Sequence, residues 1–282
     1  MSPARARELL AQRIASADVQ LDGPRPWDIR VHDQRMPQRV LMDGSLGVGE
    51  SYMDRWWDCE ALDDMLTRVL RARIDETLSG PARVLRAIGY WIRNPQSTRR
   101  AFIVGRHHYD IGDDLYRRML DRRMIYSCGY WPRATDLDTA QEHKLDLVCR
   151  KLGLEPGMRV LDIGCGWGGA ARFAAERYGV QVTGITVSRN QAQRARETCA
   201  GLPIDIRLED YRMFARSLEA RFDRIYSLGM FEHVGTPHYR EFFEKFHALL
   251  RDDGVALLHT IAHRHPPSST NHWIRKYIFP GG

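Results

Sequence analysis

The segment Arg159-Val160-Leu161-Asp162-Ile163-Gly164-Cys165-Gly166-Trp167-Gly168-Gly169 limits this chain's fold more than any other. An apolar run ends in an acid and a glycine-rich turn, and a helical pattern follows from Ala170 to Tyr178. That order places a loop at the carboxyl end of a strand, where a nucleotide-like ligand can approach bare backbone. Gly164, Gly166 and Gly169 satisfy G-x-G-x-x-G, by itself a weak signal for a dinucleotide. Two features argue against NAD. Asp162 stands two residues before the first glycine, where an anion would face a pyrophosphate. The next apolar run, Val180 to Val187, does not end in a ribose-binding acid. A cationic sulfonium ligand with an amino-acid tail tolerates the carboxylate better, so S-adenosylmethionine is the favoured reading. NAD, and a turn that only packs helix on sheet, stand as alternatives.

The chain has 282 residues, enough for two domains, and 43% hydrophobic residues, enough for a sizeable core. It contains no run of about 18 apolar residues that would span a bilayer. The stretch Met1 to Ala17 is helical and arginine-bearing and lacks the apolar centre of a secretory signal. Cysteines 59, 128, 149, 165 and 199 are odd in number and scattered, which supports neither a disulfide framework nor a zinc site and points to a reducing cytoplasm. The net charge is +6. From Met65 to Arg123 there are 13 arginines, no lysine and 6 acids, so this segment alone exceeds the charge of the whole. Such a surface suits anionic lipid or nucleic acid, or is an ordinary solvated face.

Residues 4–17 have helical spacing, and Asp28 to Asp33 alternates like a half-buried strand. Gly44 to Tyr52 is a turn-rich passage into a helix. Trp56, Trp57 and Leu62 to Leu70 continue a helical pattern, with Leu66, Val69, Leu70 and Ile74 on one face and Arg68, Arg71 and Arg73 at its margins. A second amphipathic stretch runs from Pro81 to Ile92, and Asn94 to Thr98 reads as a linker. Beyond it, Val160–Ile163, Val180–Val187, Ile204–Leu208, Arg224–Leu228 and Val255–Ile261 read as strands, and 141–152, 170–178, 189–200 and 237–250 as helices. The expected fold class is α/β: a doubly wound, mostly parallel, Rossmann-like sheet after a small, mainly helical α+β domain. The expected domains are 1–95, an entry segment 96–125, and 126–282. Strand order is not readable from this pattern.

Several further segments carry a resemblance: Gly44 to Tyr52, His108-Tyr109-Asp110-Ile111-Gly112, Tyr126-Ser127-Cys128-Gly129-Tyr130-Trp131, Gly229-Met230-Phe231-Glu232-His233-Val234-Gly235 and Leu258-His259-Thr260-Ile261. With the glycine loop they resemble bacterial cyclopropane-fatty-acyl-phospholipid synthases over most of the chain. The resemblance implies a class I methyltransferase fold and methylene transfer from S-adenosylmethionine to a cis double bond in a membrane phospholipid. It also implies a lipid-interacting N-terminal domain, a homodimer, and a cytoplasmic protein held peripherally at the inner membrane face on anionic lipid. No nucleic-acid module is recognisable.

That chemistry makes its own demands. An isolated alkene is a poor nucleophile, so the sulfonium must be held close and in line. The carbocation that follows must not meet water, and aromatic faces can stabilise it; Tyr126, Tyr130, Trp131 and Trp167 are candidate walls. A base then removes a proton. The resemblance implies that this base is a bound bicarbonate, held by Cys128, Glu232, His259 and the backbone of Ile261. Taken singly, Cys128 fits a small buried hydrophobe, Glu232 a helix-start residue and His259 a satisfied core histidine. Cys128 has no base beside it in sequence, which favours a shape or backbone role over a nucleophilic one. His107-His108 lacks a partner at ligand spacing, so no metal is expected.

For the cofactor, the resemblance places Tyr126 and Ser127 at the amino-acid end. Gly164 and Gly166 lie along it, and Asp162 joins them because a cationic sulfonium tolerates its carboxylate. Thr186, Val187 and Gln191 fall on the ribose side, and Tyr211 and Arg212 flank the adenine. Asp113 departs from the asparagine usual in that family. The chain also stops at Gly282, where members of that family continue for roughly another hundred residues, which would leave a sheet edge uncovered and predicts weak or no turnover with the cofactor loop retained. Methyl transfer to another acceptor, and a non-catalytic lipid-binding or dimerising protein, are the competing readings.

Overall fold

Ser2 starts the first helix: its Oγ accepts from Arg5 N, and Pro3 sits where a missing N–H costs nothing. The computed structural model describes residues 1–74, 113–214, 221–262 and 271–279. The chain forms two units, Met1–Asn94 with Ser269–Lys276, and Pro95–Ser268 with Tyr277–Gly282.

In the first unit, α1 (Pro3–Ile14) buries Ala6, Leu10 and Ile14, one stripe at helical spacing. Strands β1 (Arg30–Val31) and β2 (Trp57–Asp58) pair antiparallel, and between them lie α2 (Met36–Asp43) and α3 (Ser45–Met53); α4 (Leu62–Arg71) follows. Leu10, Ile14, Met36, Val40, Trp57 and Met65 share its core. The strand expected over Asp28 to Asp33 shrinks to two residues. Asp28 is buried and accepts from the backbone of Gln20 and Arg25 and from the Arg25 guanidinium, which holds the chain as a loop. Gly44 (φ +59°) is the only turn residue of the Gly44 to Tyr52 passage, and the rest of it is already helix. Trp57 is strand, not helix, because its buried ring is fixed by an Nε1 donation to Ser51 Oγ at 3.0 Å. On α4, Met65 is buried and Val69 packs on the core, whereas Leu66 and Leu70 are exposed. Arg68 pairs with Asp18 and Asp64 and lies 4.1 Å over Trp27, so it is engaged within its own unit. The expected helix over Pro81 to Ile92, the linker over Asn94 to Thr98 and the His107 to Gly112 segment lie outside the described residues.

The second unit holds α5 (Asp113–Met119), α6 (Leu137–Leu152), β3 (Arg159–Ile163), α7 (Gly169–Tyr178), β4 (Gln181–Thr186), α8 (Arg189–Thr198), β5 (Ile204–Leu208), α9 (Tyr211–Phe214), β6 (Phe222–Leu228), α10 (Tyr239–Leu249) and β7 (Leu250–His259), then α11 (His272–Tyr277), whose last residue alone belongs to this unit. The five strands form one parallel sheet in the order β5-β4-β3-β6-β7. Period-two alternation splits β3 between two cores. Val160 packs with Leu145, Val148, Ala171 and Phe173, while Leu161 and Ile163 pack with Phe214, Phe242 and Phe246. Helices therefore cover both faces, as parallel strands require. The order reverses at β3, and the glycine loop stands at the carboxyl end of that central strand. Strand β7 begins at Leu250, earlier than expected, because Arg251 to Gly254 bulge out opposite Asp223 before pairing resumes at Val255. Among the described residues β5 and β7 are the sheet's edges, and Val255 on β7 is 43% exposed.

Candidate active site

The loop between β3 and α7 is shaped by backbone that only glycine adopts easily. Gly164 (φ +87°) and Gly166 (φ +55°) turn the chain, and the N–H groups of Gly164 and Cys165 both donate to the Ile185 carbonyl, at 2.9 and 3.0 Å. A Cβ on Gly166 would meet nothing within 4 Å, so the loop faces open space. A Cβ on Gly169 would lie 2.0 Å from the Arg123 carbonyl oxygen, so that glycine lets the 121–125 segment cross the start of α7. Asp121 holds the segment there by accepting from Ile125 N at 2.7 Å and Arg123 N at 3.0 Å.

All ten residues expected at the cofactor, Tyr126, Ser127, Asp162, Gly164, Gly166, Thr186, Val187, Gln191, Tyr211 and Arg212, line one cleft over this loop. Thr186 Oγ1 donates to Gln191 Oε1 at 2.9 Å, and Ser188 caps α8 so that Gln191 faces inward. The Arg212 guanidinium is held by Asp210 in a buried two-point pair, Nε to Oδ1 and Nη2 to Oδ2, both 2.8 Å. It is therefore anchored by an acid that sequence reading did not single out. Burial pushes the Asp162 carboxyl up to about 7, against the opposing effect of the Tyr226 hydroxyl across the β3–β6 ladder. Its Oδ2 has no hydrogen-bond partner. A buried acid with an unused oxygen beneath an open glycine loop fits a ligand carrying positive charge. Trp167 and Tyr126 line the cleft with Met124, Ile125 and Met230, whereas Tyr130 and Trp131, expected as walls, do not and are about half exposed.

The four expected catalytic residues lie beside the cleft rather than in its lining. Glu232, in the 3-10 turn Phe231–His233 after β6, accepts through Oε1 from Ile261 N at 2.7 Å and Thr260 Oγ1 at 3.0 Å. The Ile261 backbone thus orients Glu232. Glu232 Oε2 and His259 Nδ1 are buried without hydrogen-bond partners. His259 ends β7; its carbonyl accepts from Gly229 N at 3.0 Å and its Nε2 lies 3.5 Å from Cys128 Sγ. A base therefore does stand beside Cys128, brought by a strand 131 residues away. Burial lowers the His259 pKa, Lys144 adds to this and Glu232 opposes it, so the imidazole is neutral at neutral pH. Cys128 and Ile261 are exposed, so these residues alone do not make the dry pocket expected of the chemistry.

Two residues that sequence reading missed hold the Ser127–Cys128 turn from α6. Gln141 Nε2 donates to the Ser127 carbonyl at 2.7 Å, and Lys144 Nζ donates to Ser127 Oγ at 2.7 Å. Both are buried. Their signal was legible: a lysine and a glutamine on the stripe that also carries Ala140, Leu145 and Val148.

Residues 96–282 match the family model described as mycolic acid cyclopropane synthetase. The chain belongs to that family. A cyclopropane-fatty-acyl-phospholipid synthase of Escherichia coli K12 is 48% identical over 278 residues, 98% of this chain and 71% of that protein. Cyclopropane mycolic acid synthase 1 of Mycobacterium tuberculosis is 43% identical over 176 residues, 61% of this chain and 60% of that protein. Among solved structures, the cyclopropane synthase MmaA2 from Mycobacterium tuberculosis superposes with a TM-score of 0.57 at 37% identity, covering 64% of this chain and 68% of that one. The mycolic acid cyclopropane synthase CmaA1, complexed with SAH and CTAB, gives 0.54 at 40% identity, covering 64% and 61%. The cyclopropane synthetase family and its methyltransferase fold thus agree with the sheet order and with the loop at its switch point.

Proposed function

We propose that this chain transfers a methylene group from S-adenosylmethionine to the cis double bond of unsaturated phospholipid acyl chains. The observation that carries the reading is one arrangement: a cleft over the glycine loop, with Glu232, His259 and Cys128 gathered beside it. The cofactor supplies a methyl group on a sulfonium. The chain's part is to hold it: Thr186 and Gln191 toward the ribose, Tyr211 and Arg212 toward the adenine, Ser127 toward the amino-acid end, and Asp162 beneath the positive charge.

The alkene carbon takes the methyl, the sulfonium leaves as a neutral thioether, and the other alkene carbon becomes a cation. Loss of one proton from the transferred methyl leaves the electron pair that closes the ring. Glu232 has one oxygen tied to Ile261 and Thr260 and the other free to accept. His259, held neutral, can donate from one nitrogen. This donor–acceptor set suits a bicarbonate, whose O–H would meet Glu232 and whose oxygens would meet His259; when bound, it supplies the base.

The first unit supports a membrane-surface role. Leu66 and Leu70 are exposed on α4, and Arg71 is exposed at its end. No helix among the described residues is long and apolar enough to cross a membrane. The resemblance further implies a homodimer, which light scattering on the purified chain checks. The deciding experiment is mass spectrometry of phospholipids from cells that lack this activity and express the chain. A gain of one CH2 on monounsaturated acyl chains, with loss of the olefin, is expected. No gain, together with no S-adenosylmethionine binding by the purified chain, overturns the reading.

A further inference from the structure

Lys144 is an ammonium in an unusual place. Its side chain is 4% exposed, on a helix face otherwise occupied by core residues. Its Nζ donates to Ser127 Oγ at 2.7 Å, and among the described residues no carboxylate lies within 4.0 Å of it. Burial of an ammonium without a counter-ion is costly, and here the charge is only partly relieved, since burial pulls its pKa down to about 8. Asp121 and Cys128 act on it only through space.

The surroundings say what the charge faces. Ser127 lines the cleft, and because its oxygen accepts from Lys144, its own O–H is left to donate elsewhere. Beside it, Glu232 Oε2 and His259 Nδ1 are buried without partners, and both Lys144 and Glu232 act on His259 electrostatically. His259 is neutral and the Arg212 guanidinium is taken by Asp210. An anion arriving beside Glu232 meets a like charge, and Lys144 is the cation placed to offset it.

We propose that Lys144 is the counter-charge for a carboxylate-type anion at the Ser127–Cys128 turn, acting through the Ser127 hydroxyl as a positioning residue. The inference rests on the proposed S-adenosylmethionine site. Two sources share the required chemistry: the cofactor's α-carboxylate and bicarbonate. A purely bracing role, equivalent to that of Gln141 on the Ser127 carbonyl, is the competing account.

Lys144→Gln separates the two, since it keeps a donor for Ser127 and removes the charge; Lys144→Met removes both. Calorimetry with S-adenosylmethionine and with its decarboxylated analogue, and line broadening of ¹³C-bicarbonate by NMR, are the readouts. Both variants are expected to weaken one anion by roughly tenfold or more. Loss for S-adenosylmethionine with the decarboxylated analogue unaffected assigns the cofactor carboxylate. Loss of bicarbonate broadening with cofactor binding intact assigns bicarbonate, and in each case the retained ligand reports an intact fold. If Lys144→Gln binds all three probes like the unaltered chain, the inference is overturned alone. If the unaltered chain binds no S-adenosylmethionine, the functional reading falls and takes this inference with it.

Discussion

Replacing Asp162 with asparagine tests whether the acid under the glycine loop is kept protonated until a cation arrives. Burial raises the folded carboxyl to about 7, whereas the unfolded chain titrates near the ordinary value of about 4. Below about pH 4 both states hold the proton and there is no penalty. As pH rises from there, the unfolded chain releases its proton and the folded chain keeps it, so stability falls by about 1.4 kcal/mol per pH unit. The loss stops growing near pH 7, where the folded carboxyl ionises as well, at a total of about 4 kcal/mol. Asparagine has the same size and no charge in either state. The stability advantage of Asp162→Asn over the parent should therefore grow across this window and level off above it. Urea unfolding followed by tryptophan fluorescence, on both proteins from about pH 4.5 to 8, measures this; all other titrating groups cancel in the difference. S-adenosylmethionine affinity should move the opposite way, because the variant cannot offer a carboxylate to a positively charged ligand. Parallel stability curves for the two proteins would refute the reasoning.

Gly169→Ala puts a Cβ 2.0 Å from the Arg123 carbonyl oxygen; it should cost about 1–3 kcal/mol and weaken cofactor binding, because the displaced segment lines the cleft, and an unchanged thermal midpoint would count against this. Asp210→Asn takes the carboxylate away from the buried Arg212 guanidinium, for an expected loss of about 3–5 kcal/mol in chemical denaturation. Glu232→Gln keeps an oxygen for Ile261 N and Thr260 Oγ1 and loses only the charge. Turnover should drop by roughly a hundredfold with S-adenosylmethionine affinity unchanged, so equal losses in both would make Glu232 a structural residue instead. Arg71→Glu with Leu66→Ser and Leu70→Ser should abolish salt-sensitive binding to anionic vesicles, and retained binding would remove α4 from the membrane surface.

Local pattern carried the sheet. Runs such as Val160 to Ile163 and Ile204 to Leu208 are apolar enough to be strands wherever they lie, and Gly164 and Gly166 mark a loop because other residues resist their φ angles. The cofactor-side residues came from the family resemblance; Asp162, Gly164, Gly166, Thr186, Val187, Gln191, Tyr211 and Arg212 lie at or soon after the ends of β3, β4 and β5, which a parallel sheet brings to one edge, whereas Tyr126 and Ser127 precede α6. In the first unit, Trp57 and Asp28 broke the expected pattern because side-chain hydrogen bonds, from Trp57 to Ser51 and from Gln20 and Arg25 to Asp28, outweigh a weak local preference. Sequence could not show that His259 stands 3.5 Å from Cys128, that Ile261 N is taken by Glu232, or that Lys144 faces Ser127. Those pairs join residues 17 to 131 positions apart. The chain by itself determined which segments become strands and which loop stays open, since those follow from side-chain periodicity and backbone sterics. Only the tertiary structure decided which charges meet, because an ion's pKa and partners depend on what packing brings within a few ångströms and on how much water it removes.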